Sequence, residues 1–70
     1  MNEITLHSSV LAGFRYDPDG RQLWLRFQTG ALFVYQMVPA TLAQSLVEAD
    51  SKGEYFNSAI RGRFPFQRLS

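Results

Sequence analysis

Gln22-Leu23-Trp24-Leu25-Arg26-Phe27-Gln28 alternates from side to side, with Leu23, Leu25 and Phe27 on one face and Gln22, Trp24, Arg26 and Gln28 on the other. A period of two is the mark of a half-buried strand, apolar side inward and polar side to water. Just upstream, residues 10–16 are β-prone and run into Asp17-Pro18-Asp19-Gly20, whose proline and glycine suit a tight reversal. The two segments predict an antiparallel hairpin. Downstream, Gln28-Thr29-Gly30 reads as a second turn and residues 31–37 as a third strand. That strand is apolar on both faces, so alternation leaves open whether Phe33 and Tyr35 point inward.

Beyond the strands the period changes. Pro39 suits the first position of a helix, where its missing N–H costs nothing. Over residues 39–49, Leu42, Leu46 and Ala49, joined by Ala43 and Val47, form a stripe at helical spacing that would cover the apolar face of the sheet. Ser51-Lys52-Gly53-Glu54 has the spacing of a capping box and opens a second, shorter helix from about residue 53 to 60. In it Phe56 and Ile60, one turn apart, are core anchors. Gly62 can take the left-handed conformation that stops the helix, and Phe64-Pro65-Phe66 is then extended. The expected fold is α+β: a three-stranded antiparallel β-meander followed by two short helices packed on one face, a single domain over residues 1–70.

Seventy residues are near the lower limit for one unaided hydrophobic core. With no cysteine, disulfides and thiolate metal sites are excluded, as suits a reducing compartment. Stability must come from packing. The six phenylalanines matter most, each burying roughly 150–250 Å² when enclosed. Residues 1–6 lack the basic segment and apolar run of a signal or transit peptide, and no stretch approaches the ~18 apolar residues of a membrane span. A cytoplasmic protein without a membrane partner is expected.

Catalysis finds little support. His7, the one histidine, is followed by Ser8 and Ser9, but no orienting carboxylate can be assigned to it. Asp17 and Asp19 belong to turn chemistry, and Glu48 and Asp50 to a solvated helix end. Neither a zinc ligand set, nor a complete calcium loop, nor a glycine-rich phosphate loop is present. The expectation is no enzyme, no cofactor and no metal.

Charge is uneven along the chain. Residues 1–51 hold Arg15, Arg21 and Arg26 against Glu3, Asp17, Asp19, Glu48 and Asp50, a balance of −2. Residues 52–70 hold Lys52, Arg61, Arg63 and Arg68 against Glu54, a balance of +3. The same segment carries Tyr55, Phe56, Phe64 and Phe66. Cations that attract phosphates, interleaved with rings that stack on bases, are what a single-stranded nucleic acid site needs. The candidates are Lys52, Arg61 and Arg63 for phosphates and Tyr35, Tyr55 and Phe66 for stacking. Trp24, on the polar face beside Arg26, is either a further stacking platform or an apolar group awaiting a protein partner.

Ser8-Ser9, Tyr16-Asp17-Pro18, Phe33-Val34-Tyr35, Val38-Pro39, Ala49, Ser51-Lys52-Gly53, Tyr55-Phe56-Asn57, Ile60-Arg61 and Phe64-Pro65-Phe66 together resemble the KTSC domain. That short domain occurs at the C-terminus of some lysyl-tRNA synthetases and as a stand-alone bacterial protein. The likeness covers about residues 8–67. The family's tyrosine-any-tyrosine pattern falls on Phe33 and Tyr35, so this chain departs at Phe33, and again at Phe64 and Phe66, where the family often has tyrosines around the proline. Stacking survives such a change, whereas recognition through a hydroxyl at position 33 does not. The resemblance implies a small non-catalytic binding module with RNA or tRNA as the candidate partner. The alternative, a protein partner or a homodimer, is motivated by open sheet edges in a chain too small to cover them.

Overall fold

The computed structural model describes residues 3–70. Met1 and Asn2, the start of the amino-terminal segment read above, lie outside the described residues. Five antiparallel strands form one sheet in chain order: β1 (Ile4–Thr5), β2 (Leu11–Asp17), β3 (Gln22–Phe27), β4 (Leu32–Tyr35) and β5 (Phe66–Arg68). Between β4 and β5 come α1 (Ala40–Glu48) and α2 (Lys52–Tyr55), the latter continuing as a π-helical turn, Phe56–Ile60. The three-stranded meander and two helices are present as expected, with a short strand added at each sheet edge.

Register settles what alternation left open. Leu25 pairs with Phe14 on one side and Phe33 on the other, and Leu23 with Tyr16 and Tyr35, so all six share the inner face. Leu23 and Leu25 are fully buried, and Phe14, Tyr16 and Tyr35 nearly so. A bulge between Leu11 and Gly13 shifts the register and lets Leu11 also reach the core opposite Phe27. The outer face carries the row Arg15, Trp24 and Val34. There the Arg15 guanidinium lies 4.2 Å from the Trp24 ring centroid, and Glu3 reaches Arg26 at 3.5 Å. Trp24 is therefore half-covered from within its own sheet.

The turns follow their chemistry with one change. Asp17 Oδ1 accepts from the Asp19 N–H at 3.1 Å, but the left-handed residue of that reversal is Arg21 (φ 55°), not Gly20. This aims the Arg21 carbonyl at Val38, whose N–H it accepts at 2.9 Å. The Tyr16 hydroxyl donates to the Val38 carbonyl at 2.6 Å. The β4–α1 connection, bent by Met37 at φ 63°, is thus tied to the hairpin end on both sides of Val38.

Pro39 sits one position earlier than expected, as the N-cap of α1 rather than its first residue. Its ψ of 150° is extended, as a cap requires, and its carbonyl accepts from Leu42 and Ala43. Ala43 and Leu46 are buried against the sheet. The Ser51 hydroxyl caps α2 by accepting from the Glu54 N–H at 3.4 Å. A Cβ on Gly53 would lie 2.8 Å from Val10 Cγ2, so the missing side chain lets α2 approach the strand β2 entrance closely. Further on, Ser58 Oγ donates to the Glu54 carbonyl at 3.1 Å, which competes with the α-helical ladder. The chain widens into the π turn, closed by the Arg61 N–H on the Phe56 carbonyl at 2.9 Å, with Phe56 and Ile60 buried. Gly62 at φ 74° then reverses the chain, and the Gln36 N–H on the Pro65 carbonyl (2.8 Å) leads it into β5. Among the described residues no helix is long and apolar enough to cross a membrane.

Two stability changes follow. Tyr16→Phe leaves the buried Val38 carbonyl without this donor and is expected to cost about 1–2 kcal/mol in urea unfolding. Gly62→Ala has space for its Cβ but must hold the left-handed backbone, an expected loss of about 1–2 kcal/mol by the same measurement. Unchanged midpoints would refute either assignment.

Candidate functional site: a ring-lined cleft beside the last strand

Two short helices do not reach the whole inner face. Where β4 meets β5, an open cleft of about 650 Å³ remains between the sheet and the π turn. Its floor is aromatic: Phe27, Phe33, Tyr35, Phe56 and Phe66 all line it. The rings pack on one another, Phe27 edge-on to Phe33 and to Phe56 at 5.5 and 5.3 Å, and Tyr35 edge-on to Phe56 at 5.7 Å. Phe66, 58% exposed, leans on Phe33 and Tyr35 at 5.7 and 5.6 Å. The register Tyr35↔Phe66 and Phe33↔Arg68 puts Phe66 and Arg68 on this face, with the Arg68 guanidinium 5.9 Å from the Phe33 ring centroid.

The cleft's charge is of one sign. Among the described residues Arg61 is the only lining residue with a full charge at neutral pH, and its Nη1 donates to Asn57 Oδ1 at 3.5 Å. Burial raises the Tyr35 phenol above its ordinary pKa, and the Arg61 charge offsets part of the rise. The phenol keeps its proton at neutral pH.

The residues singled out in the sequence are distributed as follows. The cleft brings together Arg61, Tyr35 and Phe66. Tyr35 is enclosed, so its ring presents no free face, whereas Phe66 does. Lys52 is half-buried and its Nζ donates to the Ala49 carbonyl at 3.0 Å, where a cation suits the end of α1. Arg63 is exposed, its Nε donating to the Ser58 carbonyl at 2.9 Å. Tyr55 is half-buried against the core, and Trp24 lies on the opposite face of the sheet under Arg15. Arg68 was not singled out. The signal that could have found it is the two-residue spacing from Phe66 after Pro65, which puts both on one strand face.

A smaller, polar cleft of about 390 Å³ adjoins the first, sharing Val10 and Asn57 with it. It gathers His7, Ser8, Ser9, Asp50, Lys52 and Glu54, groups of both signs. Ser8 Oγ is engaged there as an acceptor for the Val10 and Leu11 N–H groups at 3.1 and 3.2 Å.

Comparison with known proteins fits this architecture. The family model of the KTSC domain matches residues 7–64. A lysine–tRNA ligase from Nostoc sp. is 39% identical over 62 residues, which are 89% of this chain and 11% of the ligase, so the chain spans about a tenth of that relative. An uncharacterized protein from Stutzerimonas stutzeri is 41% identical over 61 residues, 87% of this chain and 86% of that protein. The crystal structure of a KTSC domain protein from Yersinia pestis is similar with a TM-score of 0.95 at 30% identity, covering 99% of this chain and 97% of that one. The match runs from the β2 entrance through both helices to the start of the β5 segment, in sequence and in backbone alike, and the chain belongs to the KTSC domain family.

Proposed function

We propose that this KTSC domain is a non-catalytic module that binds single-stranded RNA, tRNA ends and loops included, along the cleft between β4, β5 and the π turn. The observation that carries the reading is Phe66: a ring more than half exposed, held in place by Phe33 and Tyr35, with Arg61 in the same cleft and Arg68 two residues on along the same strand face. Rings offering a free face beside unopposed guanidinium groups stack on bases while attracting phosphates. Among the described residues no acidic side chain lines the cleft to repel a phosphate. The occurrence of similar sequence within lysine–tRNA ligases supports an RNA setting, and a cytoplasmic location follows from that partner.

Two observations weigh against the other classes. Arg15 lies over Trp24 and Glu3 reaches Arg26, so the tryptophan is half-covered from within its own sheet, which weakens the case for a protein partner there. His7 is exposed, and among the described residues no three His, Cys, Asp or Glu side chains are grouped to hold a metal ion.

Fluorescence anisotropy with labelled single-stranded RNA and with tRNA, across a salt series, tests the proposal. Binding in the micromolar range or tighter is expected at low salt, falling linearly on a log–log plot. Phe66→Ala should lose about 1–3 kcal/mol of binding. Arg61→Ala should reduce the steepness of the salt slope by about 0.7. Absence of micromolar binding at low salt overturns the proposal, and a dimeric solution mass in that case would favour self-association.

A further inference from the structure

Tyr16 and Tyr35 share the inner face and the same 5% exposure, yet their hydroxyls are treated differently. That of Tyr16 is spent on the Val38 carbonyl. That of Tyr35 has no hydrogen-bond partner among the described residues, and it is not sealed off, since no fully enclosed side-chain oxygen or nitrogen there lacks a partner. The residue lines the ring-floored cleft, so the hydroxyl opens toward it. Open to the cleft, the hydroxyl is left for a partner from outside the chain, water or a ligand. Phe33, two residues earlier on the same strand face, shows that the ring cluster accepts phenylalanine. The oxygen on residue 35 is therefore not explained by packing.

The other polar groups of the cleft narrow what that oxygen can meet. Arg61 can only donate, so the Asn57 amide turns its oxygen to Arg61 and leaves its NH2 free. Tyr35 keeps its phenolic proton at neutral pH. Arg61 and the Asn57 NH2 thus present donors, and the Tyr35 hydroxyl a donor that can also accept, around an aromatic floor, and the complementary ligand is a flat ring whose edge carries acceptors, joined to an anion. A volume of about 650 Å³ is ample for one nucleotide.

Resting on the RNA reading above, we infer that the cleft is a pocket for one unpaired nucleotide whose base carries a carbonyl where cytosine and adenine carry an amino group, O4 of uracil or O6 of guanine, in which the Tyr35 hydroxyl and the Asn57 amide donate to that carbonyl, Arg61 meets the phosphate and Phe66 stacks on the ring. Cytosine presents an amino donor where uracil presents O4, and so sets donor against donor at the Asn57 NH2, while the Tyr35 hydroxyl can turn to donate to O4 or to accept from the amino group.

The test compares labelled (U)8 and (C)8 RNA on the intact protein and on Tyr35→Phe, at one low salt concentration and across a salt series. The wild-type chain should prefer (U)8 by roughly threefold to tenfold, the size of one hydrogen bond. Asn57→Ala, measured alongside, should bring the two oligomers within about twofold of each other, the donor that tells O4 from an amino group being gone, whereas Tyr35→Phe should weaken both by roughly threefold to tenfold while leaving the salt slope and the thermal midpoint unchanged. The preserved midpoint separates this change from misfolding, and Tyr16→Phe, which should lower the midpoint and keep the base preference, is the control. RNA binding without a uracil preference, a preference that survives in Asn57→Ala, or unchanged affinity in Tyr35→Phe overturns the base pocket and leaves the RNA reading standing. Failure of either oligomer to bind overturns both.

Discussion

Leu23 and Leu25 have no accessible surface, and the placement of every other element can be traced to the need to keep them so. They sit on the central strand, flanked on both sides by residues that antiparallel pairing forces onto the same face. A helix of nine residues is about 13 Å long, shorter than the sheet it must cover. Coverage is spent on the centre: α1 brings Ala43 and Leu46, and the π turn brings Phe56 and Ile60. At β5 nothing is left to lay over the face, and Phe66 stands against its neighbours with most of its ring in water. The cleft is a consequence of a small chain covering its most apolar strand first.

How far this was legible in the residues depended on side-chain pattern. Strand β3 declared itself because one face had to be dry and the other wet, and Ser51 and Gly62 because capping and left-handed turns demand particular residue types. Phe33 and Tyr35 could not be oriented from β4 alone, since Val34 on the other face is apolar too. Only the pairing with Leu25 and Leu23 decides it. Strands β1 and β5 are two and three residues long and exposed throughout, so they are made by backbone pairing and leave no hydrophobic alternation to read. The π turn was equally hidden, because a widened turn depends on how Ser58 competes for a carbonyl and not on any spacing.

The candidate site separated along the same line. Arg61 and Phe66 were visible as cation and ring in one segment, and the fold brings both to the cleft. Lys52 looked the same in sequence, yet the C-terminal end of α1 lies three residues before it and its carbonyl claims the ammonium group. Sequence distance from a helix end, not charge, separates the two. Arg68 escaped notice because only β5 pairing places it opposite Phe33.

Tyr35 is where the departure at position 33 acquires a physical meaning. Both residues project from one strand face into one ring cluster, with centroids 6.2 Å apart. A hydroxyl at 33 is absent and the cluster still closes. A hydroxyl at 35 is present without a partner, although burial disfavours it. The ring cluster closes with either side chain, so packing does not decide between them, and the cleft leaves the hydroxyl at 35 open to water or to a ligand. The neighbourhoods differ: the Arg61 charge offsets part of the rise that burial gives the Tyr35 phenol, while Phe33 has the Arg68 guanidinium 5.9 Å from its ring centroid, with the Arg68 Nε donating to the Ser70 carbonyl at 2.8 Å. A polar group that the ring cluster does not need, beside a charge and open to a cleft the helices leave uncovered, is what the proposed ligand reading draws on.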